Sequence, residues 1–137
     1  MKLFREITDC LYNNTPLILC GNEDCGHMSN WYVLAAVGLY PCNPGSSKYV
    51  FNSPLINEAT NNVGKGKYFT TRAINNSKEN KYIQAIKLIG KQHNKIYITH
   101  AQLQQCRTLE FEMGVKPNTT LGISPANAPS YVSGIKI

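Results

Sequence analysis

The sequence predicts an α+β protein, and three patterns support that prediction. Apolar residues recur at helical spacing near the N-terminus. An unbroken apolar run then covers residues 31–40, and from residue 48 onward short β-branched and aromatic stretches alternate with turns. The 137-residue chain is 42% hydrophobic and 16% charged, which is typical of a globular core and excludes a disordered tail. We therefore expect helices first and a small β module after them.

Two helices are predicted in the first part of the chain. The first spans residues 1–12, and its apolar stripe consists of Leu3, Phe4, Ile7 and Leu11. The second spans residues 31–40 and is expected to end at Pro41, because proline lacks the N–H that a helix needs. This second helix is apolar on every side, which predicts burial all round. It needs more neighbours than a chain of this length supplies, so we expect a fragment or a partner.

Short strands with turns between them are predicted after residue 48. The predicted strands cover residues 49–51, 67–74, 81–89, 95–99 and 108–114. The third and fourth are expected to form a hairpin through residues 90–94. Thr99 is expected to cap one helical turn over residues 100–105. In the last strand we expect Leu109, Phe111 and Met113 to point inward. Such a set is typical of a small antiparallel sandwich.

A rigid turn cluster over residues 41–47, rich in Pro, Asn, Gly and Ser, indicates a boundary. We therefore divide the chain into three units. Residues 1–44 carry the helices and an acidic loop, residues 45–118 form the β module, and residues 119–137 form a loosely ordered tail.

The acidic loop, residues 21–29, places Asn22, Glu23 and Asp24 between glycines and just before the second helix. The positive end of a helix dipole stabilises a carboxylate and lowers its pKa. An ionised acid on such a loop could accept a proton from water. The alternative is that Asp24 only caps the helix, because aspartate is a favoured N-cap residue. The loop residues alone leave both interpretations open.

The five cysteines are odd in number and fit no disulfide framework. A zinc site has one candidate ligand set, Cys20, Cys25, His27 and Cys42. Its spacing lacks the paired short intervals of structural zinc sites, so buried thiols are the competing interpretation.

The net charge of +6 comes from scattered lysines. Aromatic and basic residues interleave at residues 65–69 without forming a block, so we expect no nucleic-acid partner. No signal peptide or membrane span is visible in the sequence.

Linked motifs at residues 11–16, 21–33, 38–46, 97–100 and 108–114 occur in one order along the chain. Together they resemble the last part of the calcium-dependent exo-acting α-mannosidases of glycoside hydrolase family ninety-two. The resemblance covers nearly all of residues 3–118. The run of linked motifs is specific, whereas no single motif would be.

The resemblance implies a fold and a set of roles. The family has an N-terminal β-sandwich domain and an (α/α)6 catalytic barrel, so residues 1–44 would be the terminal helices of that barrel. Its members remove terminal mannose from glycans with inversion and use a calcium ion that contacts the sugar. In that comparison Asp24 matches the general base, Asn22 would position the water, and Glu23 is their loop neighbour.

Two departures from the family pattern affect the expected activity. His27 stands where glutamine is expected, and no position matches the glutamate that serves as general acid. Glu23 cannot replace that acid, because inverting carboxylates stand about 6.5–9.5 Å apart across the substrate and Glu23 adjoins Asp24. We therefore expect a C-terminal fragment that carries the base loop and has no activity by itself.

The expected partners of this fragment are mannose-containing glycans and the missing N-terminal portion, which would also hold most calcium ligands. Family members are usually secreted, periplasmic or on the cell surface.

Two other functions stay open at this point. The first is a non-enzymatic carbohydrate-binding module over residues 48–115, with candidate aromatic platforms at Tyr49, Tyr68, Tyr82 and Tyr97. The second is a small zinc-stabilised protein built on the cysteine and histidine set.

Overall fold

The computed structural model describes residues 2–12, 15, 22–43, 45–105 and 107–129. Within those ranges the helices are α1 (Lys2–Leu11), α2 (His27–Ala36) and α3 (His100–Gln105). The strands are β1 (Leu39–Tyr40), β2 (Lys48–Phe51), β3 (Glu58–Asn62), β4 (Tyr68–Ile74), β5 (Tyr82–Leu88), β6 (Lys91–Gln92), β7 (Tyr97–Thr99) and β8 (Thr108–Gly114). Short 3-10 turns occupy Asp24–Gly26 and Pro125–Asn127. The predicted mixture of helices and sheet is confirmed.

Helix α2 ends at Ala36, so the predicted stop at Pro41 is wrong. Gly38 has a φ of +87°, a left-handed conformation that suits glycine after a helix end, and its N–H donates to the carbonyl of Ala35 at 3.0 Å. A side chain at Gly38 would also bring its Cβ to 2.9 Å from the ring of Phe111. The two residues after Gly38 leave the helix and pair with β2 as strand β1.

The strands form two sheets, one ordered β1-β2-β7 and the other β3-β4-β8-β5-β6. The last strand, β8, lies between β4 and β5 and runs parallel to β4, with Thr70 opposite Thr108. The expectation of purely antiparallel pairing is therefore wrong at β4 and β8. The chain from β4 to β8 is long enough for the crossover that parallel strands require.

The predicted hairpin between the third and fourth strands is also wrong. Strand β5 turns at Ile89–Gly90 and pairs with the short β6, whereas β7 pairs with β2 in the other sheet. Both turn residues have positive φ, 51° and 72°, as tight hairpin turns require. Strand β3 was not predicted, because its asparagines suggest a turn. The predicted cap at Thr99 is confirmed, since its Oγ accepts the N–H of Gln102 at 3.2 Å.

Side chains from both sheets share one hydrophobic core. The alternation predicted for β8 is confirmed, because Leu109, Phe111 and Met113 are all buried. Phe51 of the first sheet meets Phe111 of the second edge to face, with ring centroids 5.3 Å apart. This contact joins the sheets at the centre of the cluster.

Helix α1 is joined to the β module through a buried arginine. The Nε of Arg5 donates to the Ser53 hydroxyl at 2.9 Å, and its Nη2 donates to the carbonyl of Pro54 and to the Asn76 side chain. Arg5 and Thr8 are buried, whereas Leu3, Ile7 and Leu11 of the predicted apolar stripe are exposed. Phe4 of that stripe packs against Trp31, with ring centroids 5.7 Å apart.

Contacts cross residue 44 at several points, among them the Arg5 hydrogen bonds, the pairing of β1 with β2, and the N–H of Leu55, which donates to the carbonyl of Ala36 at 2.9 Å. Residues 117–129 also return to the core. The Asn118 side chain donates to the carbonyl of Gln84 at 2.7 Å, and the carbonyl of Asn127 accepts the N–H of Ile96 at 3.0 Å. Residues 130–137 of the predicted tail lie outside the described residues. The division into three units stays a prediction.

Among the described helices, none combines the length and the apolar character needed to cross a bilayer.

Candidate active site

The acidic loop turns sharply just before α2. Cys25 has a φ of +54° and Gly26 a φ of +77°, so two consecutive residues adopt left-handed conformations. Such angles are unusual for a residue with a side chain, and they are common where a backbone is held for function. The turn brings the Glu23 side chain back towards the first residues of α2.

Glu23 is the residue that caps α2. Its carboxylate accepts the backbone N–H of Met28 at 3.0 Å and that of Ser29 at 3.1 and 3.2 Å. These are donors that a helix leaves without intrahelical partners, and the N-cap position itself is Gly26, which has no side chain. A hydrogen bond from the Ser29 side chain, followed by those from the two backbone amides, lowers the pKa of Glu23. Glu23 is therefore ionised at neutral pH and fixed in place.

Asp24 does not cap the helix, so that alternative interpretation is wrong. Its side chain is exposed, and within the described residues it forms no hydrogen bond or ion pair. Asn22 is exposed as well. The structure thus gives the two adjacent acids different environments, because Glu23 is bound to backbone amides and Asp24 faces solvent.

Sequence reasoning missed the capping role of Glu23 because of its position. An N-cap side chain normally belongs to the residue next to the first helical turn, and Glu23 precedes Gly26 by three residues. The left-handed angles at Cys25 and Gly26 turn the chain so that the Glu23 carboxylate reaches the N–H of Ser29. The glycine at position 26 was the one available signal.

An aromatic cluster supports the loop from the helix side. Tyr12, which follows α1, stacks on Trp31 and on Tyr32 of α2, with ring centroids 5.3 and 5.0 Å apart. Tyr40 meets Trp31 edge to face at 6.4 Å. These rings fix α2 against α1 and thereby fix the loop at the start of α2.

The predicted zinc ligands do not form a cluster in the part of the chain that can be described. Cys25 and Cys42 are exposed free thiols, and Cys20 lies outside the described residues. No group of three or more His, Cys, Asp or Glu residues that could hold a metal ion occurs among those described. The described His, Cys, Asp and Glu side chains therefore form no site of their own for zinc or calcium.

The four tyrosines proposed as sugar platforms differ in exposure. Tyr97 is buried, with the ammonium groups of Lys48 and Lys95 over its ring at 5.2 and 5.5 Å. The hydroxyl of Tyr49 hydrogen-bonds to Nδ1 of His100 at 3.1 Å. Tyr82 is half-buried, and Tyr68 is 57% exposed. Tyr68 is thus the ring of this set most open to solvent.

A solvent-facing carboxylate on a rigid, glycine-flanked loop at a helix start is the kind of group that hydrolytic enzymes use to activate water. Comparison with known proteins identifies the class. Residues 1–115 match the model of the glycosyl hydrolase family 92 catalytic domain. The chain belongs to that family of glycoside hydrolases.

Solved structures and a curated relative agree with this assignment. A family 92 α-mannosidase from Bacteroides thetaiotaomicron, in complex with mannoimidazole, superposes with a TM-score of 0.91 at 36% identity over 96% of this chain. An inverting family 92 mannosidase from the same species gives 0.86 at 37% identity over 93%. An uncharacterized secreted glycosidase from Arthroderma benhamiae is 35% identical over 129 residues, or 91% of this chain.

The chain spans only a small share of these relatives. It covers 17% of each of the two bacterial mannosidases and 16% of the fungal glycosidase.

Proposed function

We propose that this chain is the C-terminal piece of an inverting, calcium-dependent α-mannosidase that hydrolyses terminal α-mannosides of glycans. The observation that carries the proposal is the contrast between Glu23, which is bound to the amides of α2, and Asp24, which faces solvent. The family match and the mannosidase relatives support the reaction class. The short coverage of those relatives supports a larger catalytic unit.

In this proposal Asp24 is the general base. Its carboxylate takes a proton from a water molecule while the water oxygen attacks the anomeric carbon from the face opposite the leaving group. Asn22, exposed on the same loop, donates or accepts a hydrogen bond that orients the water. The bond to the leaving oxygen breaks as a general acid outside this chain protonates that oxygen, and the product has inverted configuration.

Glu23 is a positioning residue rather than the acid. It adjoins Asp24 in the chain and its lone pairs already accept backbone amides. Inverting enzymes separate their two carboxylates by about 6.5–9.5 Å across the sugar. The acid, the remaining substrate contacts and the calcium ligands therefore belong to the preceding barrel portion and N-terminal β-sandwich.

The test is an assay with an aryl α-mannoside whose leaving group needs no protonation. We expect no turnover by the 137-residue chain. We expect turnover when the chain is mixed with a family 92 catalytic domain truncated before the matching segment. Loss of general base catalysis in Asp24→Asn should then lower the rate by roughly 10²–10⁴-fold.

The matched control is Glu112→Gln, which removes an exposed carboxylate on β8 and should leave the complemented rate unchanged. Rapid turnover by the chain without the added portion would contradict the fragment proposal. Full activity of the complemented Asp24→Asn variant would contradict the role of Asp24.

A further inference from the structure

A cleft lies on the β module, between helix α3 and the turn that joins β3 to β4. Its volume is about 620 Å³. This lies within the range of roughly 300–1,000 Å³ that is usual for small-ligand sites. The side chains that give it chemical character are Lys67, Tyr68, Thr70, Gln104, Gln105 and Arg107. None of the described loop residues around Asp24 lines this cleft.

The floor of the cleft is set by the sheet. Strands β4 and β8 begin here as a parallel pair, and the N–H of Thr70 donates to the carbonyl of Arg107 at 2.9 Å. The Thr70 hydroxyl also hydrogen-bonds to that of Thr60 at 3.0 Å. The backbone that carries Arg107 is thus fixed, and the cleft does not depend on a free loop end.

Both charged side chains described at the cleft are cationic. Lys67 and Arg107 are both exposed, and within the described residues neither forms an ion pair. No carboxylate side chain is among the described residues that line the cleft. Two unopposed cations in a concave surface attract an anionic group, and the guanidinium can bind phosphate or carboxylate oxygens in a bidentate manner.

The uncharged groups suit a sugar ring. Tyr68 is 57% exposed, so its ring offers an apolar face with a polar tip at the cleft wall. Gln104 and Gln105 supply amide groups that both donate and accept hydrogen bonds, as sugar hydroxyls require. We propose that this cleft binds a sugar that carries a negatively charged substituent, a phosphate or a carboxylate.

A nucleic acid fits the cleft less well than a charged sugar. Binding of a polynucleotide needs a stripe of basic residues along its backbone, and Lys67 and Arg107 are the only cationic side chains among the described residues of the cleft. The proposal is independent of the function proposed for Asp24, because its readout is binding rather than turnover.

The experiment measures binding of small sugars to the full 137-residue chain by calorimetry. The probes are mannose 6-phosphate, glucuronic acid and mannose. We expect the two charged sugars to bind at least about tenfold more tightly than mannose, because only they can form charge-assisted hydrogen bonds with Lys67 and Arg107. The two charged probes distinguish a phosphate ligand from a carboxylate ligand. Higher salt should weaken both.

The variants locate the site. Lys67→Gln and Arg107→Gln should each weaken binding of the charged sugar about tenfold, whereas Lys78→Gln removes an exposed lysine outside the cleft and should have no effect. Tyr68→Ala should weaken binding and Tyr68→Phe should retain it. Equal loss in Lys78→Gln, equal affinity for mannose or inorganic phosphate, or tighter binding of a short single-stranded oligonucleotide would overturn the proposal.

Discussion

Apolar side chains form a buried core in the sheet region, whereas several apolar side chains are exposed in the helical region. In β8 every second side chain is apolar and buried, with Leu109 and Phe111 at 0% exposure. In α1 the apolar Leu3 is 73% exposed, while the cationic Arg5 is buried. In α2 the apolar Val33 is likewise exposed, at 61%, and the buried residues of this helix are Ala35 and Ala36.

The difference shows which region is complete within this chain. The two sheets supply each other with a core, whereas Leu3 of α1 and Val33 of α2 lie mostly outside the cover that the described residues provide. A helix that is apolar all round is normally buried in a larger structure. This agrees with a chain that spans 16–17% of its relatives. The region with the candidate base is therefore the one that needs neighbours.

The largest expected effect lies in the sheet core. Phe111→Ala should lower the free energy of unfolding by about 3–5 kcal/mol, because it removes a fully buried ring and leaves a cavity. The measurement is chemical denaturation followed by fluorescence. Val33→Ala, on the exposed side of α2, is the control and should cost less than about 1 kcal/mol. Similar losses from both variants would contradict the comparison between the regions.

The link between the two regions should have the next largest effect. Arg5→Ala should cost about 1–3 kcal/mol, because the buried Ser53 hydroxyl and the Pro54 carbonyl lose their donor. Hydrogen exchange should speed up in α1 and stay slow in β8. Arg72→Ala removes an exposed ion pair with Glu58 and should cost only about 0–1 kcal/mol. Unchanged exchange in α1 would show that Arg5 does not hold this helix.

The cap at Glu23 should give a pH-dependent effect. Hydrogen bonding to the Ser29 side chain lowers the pKa of Glu23 in the folded state. Ionised Glu23 therefore stabilises the fold at pH values above the ordinary pKa of 4.5. That contribution is lost as the pH falls through the lowered folded pKa. Glu23→Gln should therefore melt earlier than the wild type at pH 7, and the difference should shrink at low pH. Circular dichroism measures it, with Glu112→Gln as control, and a pH-independent difference would argue against capping by the carboxylate.

The smallest effect on stability should come from the exposed stripe of α1. Leu3→Ser should change the free energy of unfolding by no more than about 0.5 kcal/mol, because the Leu3 side chain is 73% exposed. Binding of a fluorescent dye specific for apolar surface should nevertheless fall. A loss of stability near that of Phe111→Ala would show that the stripe is covered within this chain.

Several elements were predictable because their signals are local. The alternation in β8, the cap at Thr99 and the extent of α1 each depend on residues within a few positions of one another. The acidic loop was also identifiable, since glycines and adjacent acids mark it in the sequence. What the loop residues do was not, because aspartate is the commoner cap and the geometry selected Glu23.

The sequence by itself determined that two helices precede the first strand, which residues of β8 face a core, and that an acidic loop stands before α2. Only the tertiary structure decided that β8 lies between β4 and β5, that Gly38 ends α2, and that Arg5 is buried while Leu3 is not. The physical reason is one of range. Periodicity and turn chemistry act between neighbours in the chain, whereas strand order and burial depend on hydrogen bonds and packing between residues distant in sequence.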